Sequence, residues 1–168
     1  MADLTVVALM VMVFGVMTAI MKCETLPESI SAMVYELPKN RQWMWSAWLC
    51  GIAGLLFYPL MLALTDRCAG TEALGWITIT CLIGTAVTPI IQDHTRKWHN
   101  ILGITAGIVS QVCVLLINPW WLLIWLLLAI LIGQTFVRKT TNAWYDGKGL
   151  FIIEVLCSAS MMGALMIY

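Results

Sequence analysis

Both histidines of the chain fall in one short stretch, Pro89-Ile-Ile-Gln-Asp-His-Thr-Arg-Lys-Trp-His-Asn100. Gln92, Asp93, His94 and His99 bring amide, carboxylate and imidazole groups together there, between long apolar runs. A further carboxylate, Glu154, stands alone in Phe-Ile-Ile-Glu-Val-Leu-Cys, within the last apolar run. An ionisable group at such a place costs a few kcal/mol unless it is paired, protonated or hydrated, so its default reading is functional. The alternative is a structural hydrogen bond to a neighbouring helix.

Metal chemistry needs three protein ligands. Asp93, His94, His99 and Glu154 supply enough ligand types, but His94 and His99 are five apart, off a common helical face, and no HxxxH or HExxH occurs. No metal or other cofactor is therefore assigned. A serine nucleophile, Ser29 or Ser31 with His99, lacks any sequence context that would strain or activate it. Phosphate-loop, dinucleotide and CxxC signatures are absent from the sequence. These features favour a non-enzymatic protein.

The elements that would position these residues are membrane helices. Of 168 residues 61% are hydrophobic and 11% charged, with mean hydropathy +0.91, outside the soluble range. Six apolar segments, Leu4–Met21, Trp43–Thr65, Ala73–Gln92, Ile101–Asn118, Trp120–Val137 and Leu150–Tyr168, are each long enough to cross the ~30 Å hydrocarbon core as a helix. The expected fold is an all-α, polytopic six-helix transmembrane bundle, one domain spanning 1–168 without internal repeat. Eight of the nine Lys and Arg follow segments one, three and five, and only Arg67 lies at the other side. Positive-inside bias then puts those loops in the cytoplasm and both termini outside, as in a bacterial inner-membrane protein. Net charge is zero with no basic run, so membrane lipids and not nucleic acid are the expected partners. The six cysteines lie mostly in apolar runs and do not read as a disulfide framework.

The first cytoplasmic loop carries its own pattern. Ile30, Met33, Val34 and Leu37 recur at helical spacing between Pro27 and Pro38, which predicts a short interfacial helix over Pro27–Leu37. Its polar face would carry Glu28, Ser31 and Tyr35. On segment four, His99, Gly103, Gly107 and Ser110 share a small-residue face suited to close packing, inside the bundle or between copies in a homo-oligomer. Thr78, Thr85, Thr88 and Gln92 share a face of segment three, and Gln134 lies on segment five. Converging faces would bring Gln92, His99, Gln134 and Glu154 together just below the cytoplasmic surface, about 7 Å down the last helix.

Six helices, the loop motif Pro27-Glu-Ser-Ile-Ser31, a polar turn with His99 before helix four and a carboxylate in the last helix resemble the Frag/DRAM-like membrane proteins and related small six-helix bacterial proteins. The resemblance implies the architecture and transfers no activity. Seven-helix membrane hydrolases with a three-histidine zinc site are more distant, since two histidines cannot fill that site. The leading expectation is binding of a lipid, small amphiphile or protein partner at a cytoplasmic-side cluster of Ser31, Tyr35, Gln92, Asp93, His94, His99, Gln134 and Glu154. An oligomeric transporter or channel is the alternative, and a membrane hydrolase using Glu154 and His99 is a third.

Overall fold

The computed structural model describes residues 2–22, 29–91, 96–126, 129–130 and 149–168. They form an all-α bundle without strands among the described residues. Helix α1 spans Ala2–Lys22, α2 Lys39–Arg67, α3 Glu72–Ile91, α4 Lys97–Ile117, and the C-terminal helix Gly149–Met166. Between α4 and the C-terminal helix, a 3-10 turn at Pro119–Leu123 leads into helical residues 124–126 and 129–130. A separate short 3-10 helix, Ser31–Glu36, lies between α1 and α2.

Helices α2, α3, α4 and the C-terminal helix are long and apolar enough to cross a membrane, with mean hydropathies between 1.8 and 2.1. Helix α1 contributes a further apolar stretch, Asp3–Thr18. The protein is an integral, multi-pass membrane protein, and its surface follows that solvent. Phe14, Ile108 and Ile91 are 75%, 63% and 73% exposed, as side chains facing lipid tails can be without cost.

Successive helices pack side by side, and the C-terminal helix touches both α4 and α1, closing a ring. Inside it Leu60 and Leu64 of α2, Val114 of α4 and Met162 and Leu165 of the C-terminal helix make a dry core. Lipid tails are as apolar as leucine, so close fit and not water exclusion holds such helices together. Four glycines supply that fit. A Cβ at Gly15 would lie 2.2 Å from the Trp48 ring, at Gly75 2.7 Å from Met61 Sδ, at Gly84 2.8 Å from Leu102, and at Gly163 2.6 Å from the Trp121 ring. Gly103 and Gly107 face inward too, toward Thr85 of α3 and Cys157 of the C-terminal helix, at ordinary contact distances of 3.6 and 3.9 Å. The small-residue face of α4 is thus used inside the bundle.

Turn chemistry sets the helix ends. Gly70, at φ +93, closes the α2–α3 turn, where Thr71 donates its N–H to the Cys68 carbonyl at 3.1 Å. At that same end the Tyr168 hydroxyl donates to Asp66 and Arg67 sits 5.5 Å over the tyrosine ring, tying the C-terminus to α2. The Asp66 carboxylate pushes the Tyr168 phenol above its ordinary range.

The amphipathic loop segment forms its short helix with a tighter pitch than an α-helix. Three residues per turn bring Ser31 into line with Val34, and Ile30, Met33 and Val34 are all buried, Val34 only 1% exposed. The segment therefore plugs the bundle end between α2 and α3. Extended Leu37 before Pro38 stops it, as the residue ahead of a proline disfavours helix. From α2, Trp45 Nε1 donates to the Ile30 carbonyl at 3.2 Å and Gln42 Nε2 to the Leu37 carbonyl at 3.2 Å.

Candidate functional site

At the start of the plug, where Ile30 at the N-cap makes no side-chain cap hydrogen bond, two backbone N–H groups need an acceptor. Glu154 supplies one from across the bundle. Its Oε2 accepts the Ile30 N–H at 2.6 Å and the Ser31 N–H at 3.1 Å, and its Oε1 accepts the Ser31 hydroxyl at 2.7 Å. Bonds to a carboxylate are worth roughly twice neutral ones. Ser29, 1% exposed, adds a hydroxyl 3.3 Å from Ser31 Oγ. The structural hydrogen bonding named as the alternative for this lone membrane carboxylate is thus present. It coexists with a cavity at the same carboxylate.

His99 reaches the same serine from α4. It is 3% exposed, with Nε2 3.2 Å from Ser31 Oγ and Nδ1 2.9 Å from the Thr85 carbonyl. That carbonyl is available for a reason legible in the chain. In an α-helix it would accept from the N–H four residues on, but residue 89 is proline, inside α3 and without an N–H. Pro89 thereby frees the Thr85 carbonyl, and His99 and the Thr88 hydroxyl (3.1 Å) take it up.

Counting hydrogens defines the electrostatics. A carbonyl only accepts, so Nδ1 carries a hydrogen and Nε2 is the ring atom turned to Ser31. The Ser31 hydroxyl has one hydrogen and three neighbours, His99 Nε2, Glu154 Oε1 and Ser29 Oγ. With a neutral imidazole and an ionised carboxylate, both would compete for it. The hydrogen goes to Glu154 Oε1, at 2.7 Å, while His99 Nε2 stands 3.2 Å from the same Ser31 Oγ. Ser31 is the bridge between them.

Tyr35 roofs this group, its ring and that of His99 in a T-shaped pair at 5.4 Å and 83°, with the Arg96 guanidinium 4.9 Å from the tyrosine ring centre. Burial pushes the Tyr35 phenol up and the Arg96 cation pulls it partly back. The net shift is upward, so the roof is a neutral phenol at neutral pH.

Below the roof a cavity of about 520 Å³ extends between α2, α4 and the C-terminal helix, within the ~300–1,000 Å³ range of ligand pockets. Its walls are mostly apolar, with Ile52, Leu56, Leu82 and Met161 among them, and Gly103 and Gly107 flatten the α4 side. Ser31, His99, Thr85 and Glu154 also line it. Ile104 and Ile108 at its edge are 59% and 63% exposed.

Another polar residue, Gln111 of α4, also lines the cavity. Its Nε2 donates to Ser110 Oγ at 3.2 Å and the Cys157 carbonyl at 3.3 Å, while its Oε1 accepts from Trp125 Nε1 at 2.9 Å and Ser160 Oγ at 2.8 Å. All four bonding positions of the amide are filled. Gln111 clamps three helices and has nothing left for a ligand.

Of the residues expected at the site, Ser31, Tyr35, His99 and Glu154 come together. Gln92, Asp93, His94 and Gln134 lie outside the described residues. The threonine stripe turns onto its own helix, Thr78 donating to the Leu74 carbonyl at 2.9 Å and Thr85 to that of Cys81 at 2.8 Å. Among the described residues no three His, Cys, Asp or Glu side chains gather closely enough to hold a metal ion, and the five described cysteines are free thiols. The Thr85 carbonyl is a site group that the sequence pattern did not reveal, although Pro89 four residues on was the available signal. Comparison of the chain with protein-family models, curated proteins and solved structures found no match.

Proposed function

We propose that this protein binds a single-chain amphiphile, with the chain in the apolar cavity and the polar head at Ser31, His99 and Glu154. The observation that carries this reading is the cavity itself, which is apolar over most of its wall and meets those three hydrogen-bonding residues. An apolar pocket with a few convergent polar groups is the usual form of a binding site. A polar transport path gains no such support, since the described mid-bundle amide, Gln111, is fully bonded. The cation count supports a cytoplasmic position for this end of the bundle, with both termini outside.

Native mass spectrometry of the protein released from lipid nanodiscs tests the reading. Wild-type protein should retain one amphiphile through conditions that strip annular lipid. Gly107→Leu, which sets a side chain on the cavity wall, should lose it, and Gly54→Leu, at an exposed position with nothing within 4 Å, should not. Equal retention by wild type and Gly107→Leu would refute the cavity as the binding site.

A further inference from the structure

Ser31 is more than a hydrogen-bonding contact for a bound head. Ser31 lines the cavity, and its Oγ lies 3.2 Å from an imidazole nitrogen whose partner nitrogen is fixed on a backbone carbonyl. A hydroxyl beside a base, with the base oriented by a third group, is the arrangement that activates a serine. The Ser31 hydroxyl donates to Glu154 Oε1 at 2.7 Å, and rotation about its Cβ–Oγ bond turns the same hydrogen to His99 Nε2, 3.2 Å away. Serine nucleophiles need a lowered cost of deprotonation at the moment of attack, and His99 is within reach to provide it.

We propose that Ser31 is a nucleophile toward carboxylic esters of single-chain amphiphiles, with His99 as its general base. This rests on the binding reading above. Ser31 Oγ attacks the ester carbonyl carbon while its proton passes to His99 Nε2. The carbonyl carbon–alkoxy oxygen bond then breaks, and the departing alcohol takes that proton, leaving an acyl ester on Ser31. Water attacks the same carbon and gives a proton to His99. The bond to Ser31 Oγ breaks, the proton returns to Oγ, and the free acid departs. The ester is cleaved by one water, without oxidant or reductant. The substrate class follows from the walls, which are apolar and suit an acyl chain.

The test uses the full chain in nanodiscs with a long-chain alkyl fluorophosphonate, read by intact mass and peptide mapping, together with turnover of p-nitrophenyl palmitate and p-nitrophenyl acetate. The expected result is one adduct on Ser31, preference for the palmitate ester, and labelling slowed roughly 100-fold in His99→Ala, the lower range of a general base's contribution. The mapping is made on wild-type protein, so it does not depend on a variant folding. If wild type retains its amphiphile but forms no adduct, or forms it on another residue, Ser31 is not the nucleophile and the binding reading stands. If wild type neither retains an amphiphile nor reacts, both fall.

Discussion

Glu154→Leu is expected to lower stability by about 2–5 kcal/mol, the cost of leaving two buried backbone N–H groups and a hydroxyl without an acceptor. The Ile30 and Ser31 amides and the Ser31 hydroxyl all end on this carboxylate. Leucine is of similar size and apolar, so a lipid-facing glutamate with no such bonds would be improved by the change. The account predicts the reverse. The loss should be local as well as global: hydrogen exchange at Ile30 and Ser31 should accelerate more than in the α2–α3 core. Glu154→Gln should fall between, because its one amide oxygen accepts while its NH₂ faces donors. Thermal unfolding in detergent with exchange read by mass spectrometry checks both statements, and a Glu154→Leu protein as stable as wild type would sink this role.

Pro89→Ala separates the helix from the site. Alanine restores an N–H at position 89 and allows the ordinary helical bond to the Thr85 carbonyl. A helix-interior proline is normally a cost of a few kcal/mol, so α3 should be as stable or more stable in the variant. The His99 ring, however, then shares its acceptor with a backbone N–H as well as with the Thr88 hydroxyl. Its orientation toward Ser31 loosens, and reactivity of Ser31 toward a fluorophosphonate should drop on the order of 100-fold, the scale set by misplacing a reacting group by ~1 Å. The expected signature is therefore an unchanged or raised melting temperature with a lowered labelling rate. A fall in melting temperature with an unchanged rate would mean that Pro89 serves packing alone.

The elements of the bundle were legible because membrane helices announce themselves through length and apolarity. The α3 and C-terminal boundaries, Glu72–Ile91 and Gly149–Met166, lie within two residues of those read from the sequence. Proximity of His99 to Glu154 was legible from shared depth. The direction of Ser31 was not, because local periodicity assigned it to the polar face of an interfacial helix. What turns it inward is a pair of bonds to a residue 123 positions away, and one segment's pattern carries no record of such a partner. The Gln111 clamp was hidden for the same reason. A buried amide in an apolar helix is compatible with a pore, a ligand or a knot of hydrogen bonds, and only the neighbours Trp125 and Ser160 decide it.

The most direct measurement of the central claim is a high-resolution experimental structure of the protein in a lipid nanodisc supplied with a single-chain amphiphile. The account predicts chain-shaped density in the cavity between α2, α4 and the C-terminal helix, its polar end within hydrogen-bond distance of Ser31 and His99, and Glu154 still on the Ile30 and Ser31 amides. A cavity closed by protein side chains, or a Glu154 carboxylate turned out to lipid with the 3-10 plug released, would contradict it.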